Sequence, residues 1–326
     1  MKLIVSLFLA FHVSGCFSQD NDQQIRIYDN EKSTYVEEKI YGGNFLYWLY
    51  NSYLGKLISP VATQPLFSTV YGSLQNTKIS QKKIKQFIDD YQIKMDEYEP
   101  GSLTYVENKK WQSYQSFNEF FTRKFKPGMR PFPKKKLDFP AFVEARYLIL
   151  ENIDDETSFP VKGKYLSSKA LLRNKKLQGE FKDSVVIIGR LNPTDYHRFH
   201  FPDQGRVVQQ YKINGKLNSV NPIALGLKDE VFSENERHVT ILETKNFGRI
   251  AYIEVGAMMV GKIIQTHKGV DYTKGQEKGI FKFGASTVIV LVQKNVISFS
   301  KDIVNRSEIE NVETLIKLGT KIGEKL

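Results

Sequence analysis

Two stretches of the sequence carry side chains able to do covalent chemistry. One is "NPTDYHRFHFP", residues 192–202, where His197 and His200 stand three residues apart among aromatics. On a helix the two imidazoles share a face, and on a strand they point opposite ways. A metal pair is conceivable, but no cysteine ligand and no carboxylate-rich motif accompanies it. The competing readings are packed, hydrogen-bonded histidines or acid–base groups. The other stretch is "KGIFKFGASTVIVLV", residues 278–292, in which Gly284, Ala285, Ser286 and Thr287 stand between an aromatic pair and a β-branched run. A serine at the buried start of a strand is a poor packing choice and a good reactive one. Its hydroxyl can attack the carbonyl of residue 285 and turn the amide into an ester. β-Elimination and hydrolysis then leave a pyruvoyl group at the new N-terminus. That route needs a base near the hydroxyl, which a histidine supplies, and donors for the oxyanion that forms on residue 285. The plain alternative is a buried strand-start hydroxyl without chemistry. His238 and His267 have no identifiable catalytic partner and read as surface or structural residues.

The elements that must position these groups fall into two parts. Residues 19–40 are polar and charged and read as loosely ordered. "GNFLYWLYNSY", 43–53, places Phe45, Leu46, Trp48 and Leu49 close to helical spacing. In the following "LGKLISPVATQPLFSTVYG" Pro60 and Pro65 interrupt the pattern. Aromatics beside lysine suit a membrane interface, and ordinary helix packing accounts for most of the same side chains. "ISQKKIKQFIDDYQI" is an amphipathic helix, with Ser80 as its expected N-cap and Ile84, Phe87, Ile88 and Tyr91 as its apolar face. "SYQSFNEFFTRKF" turns Phe117, Phe120 and Phe121 inward. The Pro-rich "KPGMRPFPKKK" marks a change of character, and its lysines read as a solvated loop. Beyond it "SVVIIGRL", "RVVQQYKI", "HVTILET", "RIAYIEVGAMMVGKII" and "STVIVLV" are strand-like, separated by turns such as Asn214–Gly215. The expected fold class is α+β: a helical N-terminal part packed on a β-rich, mostly antiparallel C-terminal domain.

Composition bounds the function. With 41% hydrophobic and 13% aromatic residues in a 326-residue chain, disorder is not the default. A formal charge of +11 favours an anionic partner, either phospholipid headgroups, nucleic acid or an acidic protein. No zinc finger, recognition helix or RNA-binding signature supports nucleic acid. "MKLIVSLFLAFHVSGCFSQD" reads as a secretory signal over residues 1–18: a positive start at Lys2, an apolar run too short to span a bilayer, then small residues. A buried helix or membrane anchor competes with it, and "VSGC" also resembles a lipoprotein box that would lipidate Cys16. Cys16 is the only cysteine, so a chain cleaved after it has no disulfide or thiol chemistry.

The sequence resembles the phosphatidylserine decarboxylase family, in the branch with a Gly-Gly-Ser-Thr processing site. The resemblance runs from about Tyr41 to the C-terminus. It is carried in order by "FNEFFTRKFKPGMRP", "PVKG", "NPTDYHRFHFP", "SVNPIAL", "NERHVTILET", "FGRIAYIEVGAMMVGKIIQT", "KGQEKGIFKFGASTVIVLV" and "IGE". It implies self-cleavage between Ala285 and Ser286, with Ser286 becoming the pyruvoyl prosthetic group and no external cofactor or metal. It implies that His197 and His200 serve decarboxylation and self-cleavage. The pyruvoyl carbonyl takes up the amine of phosphatidylserine, and loss of carbon dioxide gives phosphatidylethanolamine. The implied organisation is a signal at 1–18, a helical membrane-facing part at 19–130 and a catalytic-type domain at 131–326. The expected setting is the secretory route or a lumenal or extracellular space, with peripheral membrane association and homodimerisation or pairing with an active relative.

Two positions depart from the family pattern. Ser-Pro-x-Asp-Gly is expected after the Pro-rich turn, and here Pro140 is followed by Phe142 and Val143 in place of the Asp and Gly. That Asp completes an Asp-His-Ser arrangement for self-cleavage. Asp138 and Glu144 are its neighbours in sequence and the candidate substitutes. Ala285 stands where the branch has Gly. Spoiling the corresponding acid in a serine protease costs about 10⁴ in rate, whereas an added Cβ at a left-handed position costs about 1–2 kcal/mol. Loss of the Asp therefore dominates. A second reading follows: an unprocessed family member that binds phospholipid or regulates an active relative.

Overall fold

The computed structural model describes residues 25–39, 42–103, 110–151, 158–159, 164–165, 167–227, 230–258, 262–284 and 286–326. The apolar leader, Cys16, "PVKG" and Ala285 lie outside the described residues.

The fold is α+β, and its centre is one ten-stranded sheet. In spatial order the strands are Asp271–Tyr272, Gly205–Ile213, Arg237–Thr244, Arg249–Val255, Ser286–Gln293, Ser184–Leu191, Ala145–Leu150, Thr314–Ile316, Ile25–Asp29 and Thr34–Glu38. All described pairings in it are antiparallel except that of Ile25–Asp29 with Thr314–Ile316. The middle strands lack the apolar–polar alternation of a half-exposed sheet because both faces are covered. In "STVIVLV", Val288, Val290 and Val292 enter one core with Phe142, Tyr147, Leu191 and Tyr252. Ile289 and Leu291 enter the other with Leu148, Ile188 and Ile253. A three-stranded sheet, in order Ile263–Gln265, Glu277–Phe281 and Arg198–His200, joins the strand before Ser286 to the one bearing His200.

The N-terminal helices cover Gly43–Asn51, Tyr53–Ala62, Pro65–Leu74 and Lys82–Tyr91. Ile84 and Phe87 of the last are buried, as the spacing predicts. Its cap differs: Ser80 lies in the preceding 3-10 turn, and its Oγ accepts the Phe117 N–H at 2.9 Å. A side chain that ties two elements together is taken out of the capping role. Helix Phe117–Phe121 is shorter than its sequence pattern. Ser116 Oγ accepts the Glu119 N–H at its start, and Phe117, Phe120 and Phe121 are all buried.

One expectation needs correction. Residues 25–38 are not loose: Ile25–Asp29 and Thr34–Glu38 form a hairpin at the edge of the large sheet. Their order comes from the distant strand Thr314–Ile316 and from buried charge, neither of which a local polarity pattern reveals. The sheet therefore draws strands from both sides of residue 131.

Candidate functional site

Ser286 opens its strand directly opposite Leu191, the last residue of the neighbouring strand. It is in phase with Val288 and Val290, so its side chain enters the layer that holds Phe142, Leu191 and Tyr252. The hydroxyl is fully buried with no hydrogen-bond partner, and the Thr287 hydroxyl on the other face is equally unpaired. Buried hydroxyls without partners are uncommon and costly. Just upstream, Gly284 has φ +139°, a backbone state that side chains rarely adopt.

The chain leaves Leu191 into the loop that carries His197. Asn192 N–H donates to Asp195 Oδ2 at 2.6 Å, and Asp195 N–H returns to the Asn192 carbonyl at 2.9 Å. The loop is pinned from below by a buried ion network. Arg146 binds both Asp195 and Glu38, and Arg190 binds Glu38 and Glu313. Asn192 Nδ2 also donates to Glu38 Oε1 at 2.9 Å. The edge hairpin thus reaches the histidine loop through one carboxylate. Burial alone would raise the Glu38 carboxyl, but Arg146 and Arg190 outweigh it and hold the group down at about 2.

His197 Nδ1 lies 3.0 Å from the Asp195 carbonyl oxygen. A carbonyl only accepts, so Nδ1 carries the proton and Nε2 presents its lone pair. The imidazole packs on Phe121 with ring centroids 3.8 Å apart. Its Nε2 has no partner at normal hydrogen-bond geometry, yet the Gly284 backbone is near enough to favour the protonated ring. Burial dominates and lowers His197 to about 3. The segment before Ser286 is clamped to the same group: Phe281 N–H donates to the His197 carbonyl at 2.9 Å, and Phe283 N–H donates to Asn118 Oδ1 at 3.0 Å. The Phe283 ring packs edge-on to Phe121 and Phe117.

His200, at the end of a strand, is held differently. Its backbone N–H donates to the Phe142 carbonyl at 2.9 Å, and its Nδ1 lies 3.0 Å from the Gly275 carbonyl oxygen. Nε2 is again buried and unpaired, and burial lowers this imidazole too. Neither histidine is hydrogen-bonded to a carboxylate among the described residues. Phe142 is fully buried with its ring against Tyr147 and Tyr252, centroids 5.6 and 5.4 Å away. The Phe142 and Val143 N–H groups both donate to Tyr147 Oη at 3.1 Å. Val143 sits over Gly189, where an added Cβ would meet its methyl at 2.8 Å.

The two neighbouring acids are occupied elsewhere. Asp138 pairs with Lys321, and Glu144 binds Arg130. Sequence reasoning missed Glu38, Arg146 and Arg190, whose signal is only a buried charge on a strand. It also missed Arg123, which lies within the quoted "FFTRKF" and donates to the Thr194 carbonyl at 2.7 Å.

Beside the site the helices carry an apolar face toward solvent. Tyr53, Leu54, Leu57 and Leu66 are 78, 61, 60 and 67% exposed. On their inner side Tyr71 meets Phe283 at 5.8 Å. No helix among the described residues is long and apolar enough to cross a membrane.

Comparison with known proteins places the sequence in a family. The profile of the phosphatidylserine decarboxylase family matches residues 117–324. A phosphatidylserine decarboxylase proenzyme of Clostridium tetani is 43% identical over 92% of this chain and 98% of its own length. Proenzymes of the same description from Clostridium botulinum and Ruminiclostridium cellulolyticum are 39 and 38% identical, each over 92% of this chain and 99 and 97% of their own.

Proposed function

The chain belongs to the phosphatidylserine decarboxylase family, and we propose that it is a proenzyme that cuts itself before Ser286 and then acts on phosphatidylserine at a membrane surface. It is a carboxy-lyase by family, converting phosphatidylserine to phosphatidylethanolamine and carbon dioxide. One observation carries the processing step: a buried, unpaired hydroxyl at Ser286 beside a loop whose imidazole offers an unpaired Nε2.

In the first step Ser286 Oγ attacks the carbonyl carbon of residue 285 as its proton passes to an imidazole Nε2. The bond to the 286 nitrogen breaks, and that nitrogen takes the proton. A base then takes the Cα proton of residue 286 as the 285 carboxylate leaves from Cβ; the dehydroalanine so formed tautomerises to an imine, and water adds to it and releases the nitrogen as ammonia. The products are a large piece ending at Ala285 and a small piece of about 40 residues. The unpaired Ser286 hydroxyl, free of structural hydrogen bonds, fits a pyruvoyl precursor. Once formed, that group supplies a carbonyl for the substrate amine and a sink for the electron pair released with carbon dioxide.

The protein's own residues set the conditions. Phe121 lies on the His197 ring, Phe283 backs Phe121, and the imidazole is buried from water. The Asp195 carbonyl holds the ring hydrogen of His197 on Nδ1 and leaves Nε2 as the proton acceptor. The exposed Tyr53, Leu54, Leu57 and Leu66 face suits insertion into the interfacial layer of a bilayer, and the +11 charge suits an anionic one. The apolar leader extends the reading to a protein delivered into the secretory route.

The deciding experiment is the intact mass of the purified protein under denaturing conditions. Two masses, split between residues 285 and 286, with the small piece blocked at its N-terminus, are expected. A single full-length mass would sink the processing step and leave the unprocessed lipid-binding reading.

A further inference from the structure

A separate cleft of about 130 Å³ opens beside the strand Gly205–Ile213. Its polar lining comes from Gln210, Thr240, Gln265, His267, Lys268 and Lys278. A single water needs about 10–15 Å³ of such space, so a group of several heavy atoms fits.

Three of the lining groups, on His267, Thr240 and Lys268, keep hydrogens to donate. Gln276 Oε1 accepts the Thr273 N–H at 3.0 Å, which orients the amide so that its Nε2 donates to His267 Nδ1 at 3.2 Å. With Nδ1 accepting, the ring hydrogen of His267 is on Nε2. That Nε2–H is buried and unpaired. Lys278 spends its three hydrogens on Glu254 Oε1 at 2.5 Å, Gln265 Oε1 at 2.7 Å and Thr240 Oγ1 at 2.9 Å. Its charge is thus cancelled by Glu254, while the Thr240 hydroxyl, already accepting, keeps a hydrogen to give. Lys268 is exposed at the mouth with no ion pair among the described residues. Among the described residues no carboxylate lines the cleft.

We propose that this cleft binds a small tetrahedral oxyanion, a phosphate or a phosphate ester, through His267 Nε2–H, the Thr240 hydroxyl and the Lys268 ammonium. An apolar occupant leaves those donors unmet, and a cation finds no acceptor carboxylate. The assignment stands independently of the decarboxylase reading, since none of these residues belongs to the Ser286 site.

Calorimetric titration of the full chain with inorganic phosphate and with glycerophosphoserine tests it. Saturable binding is expected, weakened about tenfold or more by Lys268→Ala and by His267→Phe and recovered by His267→Gln, which restores a donor. Tighter binding of glycerophosphoserine assigns the site to a lipid headgroup, and tighter binding of inorganic phosphate to the free ion. Absence of saturable binding with both probes, or unchanged affinity in Lys268→Ala, overturns the proposal. Lys268 is at the surface, so that variant folds whatever becomes of His267→Phe.

Discussion

His200 takes its orientation from Gly275: Nδ1 lies 3.0 Å from the Gly275 carbonyl oxygen, while Phe142, where the sequence reading expects an acid, meets His200 only through its backbone carbonyl on the His200 N–H. A neutral carbonyl fixes the tautomer as a carboxylate does, but it does not offset the charge of an imidazolium in the transition state. For the proposed self-cleavage this predicts a slower step with the imidazole still oriented.

Phe142→Asp, combined with Ala285→Gly, is expected to speed self-cleavage at least tenfold, with a ceiling near 10⁴ from the triad analogy. It also removes a ring packed on Tyr147 and Tyr252, at a cost of about 3–5 kcal/mol. A time course of fragment appearance after synthesis checks the rate. An unchanged rate would show that the missing acid is not what limits cleavage.

Ser286→Ala is expected to give one unbroken chain of unreduced stability. The hydroxyl is buried without a partner, and leaving such a group unpaired costs about 1–3 kcal/mol. Removing it therefore leaves the melting temperature unchanged or raises it. Mass spectrometry reads the cleavage and calorimetry the melt. A markedly lower melt would mean the hydroxyl is bonded in the folded state.

Glu38→Gln is expected to destabilise by about 3–5 kcal/mol at neutral pH, because it strips the shared counter-charge from two buried guanidinium groups. Cleavage should slow in parallel, since the same carboxylate braces Asn192 and Arg146 under the histidine loop. Urea melts and fragment yield report the two effects.

Acid should weaken the fold in two stages. Burial holds His197 at about 3 against an ordinary 6.5. The unfolded chain therefore binds that proton first, and stability falls as pH drops from 6.5 toward 3. The Glu38 carboxyl, at about 2 against an ordinary 4.5, contributes fully above 4.5 and is lost as pH falls through about 2. Urea midpoints should be flat above pH 6.5 and decline below it, more steeply under 4.5. The cleavage rate should show no loss from His197 protonation between pH 8 and 5.

Leu54→Glu with Leu57→Glu should weaken binding to phosphatidylserine vesicles about tenfold or more without lowering the melting temperature, since both side chains are largely exposed. Vesicle co-sedimentation measures it, and unchanged binding would remove this face from the membrane contact.

The β-branched runs and the "NPTDYHRFHFP" and "GAST" stretches are legible because residue type there is the message: apolar faces, imidazoles, a hydroxyl. The orientation of both imidazoles is not, since Asp195 and Gly275 act through backbone carbonyls, which every residue possesses. The hairpin Ile25–Glu38 escapes for another reason. Ile25 and Ile27 alternate with polar neighbours as an edge strand does, but the partner that fixes them is nearly 290 residues away.

Ser286–Gln293 lies mid-sheet, with eight register pairs to Ser184–Leu191 on one side and six to Arg249–Val255 on the other, and Thr314–Ile316 is likewise enclosed. A nick before Ser286 therefore liberates nothing; it turns one polypeptide into two that remain interlocked. After melting, the halves would have to find each other by collision, so recovery becomes dependent on concentration, and the intact precursor is the sole species whose folding is unimolecular.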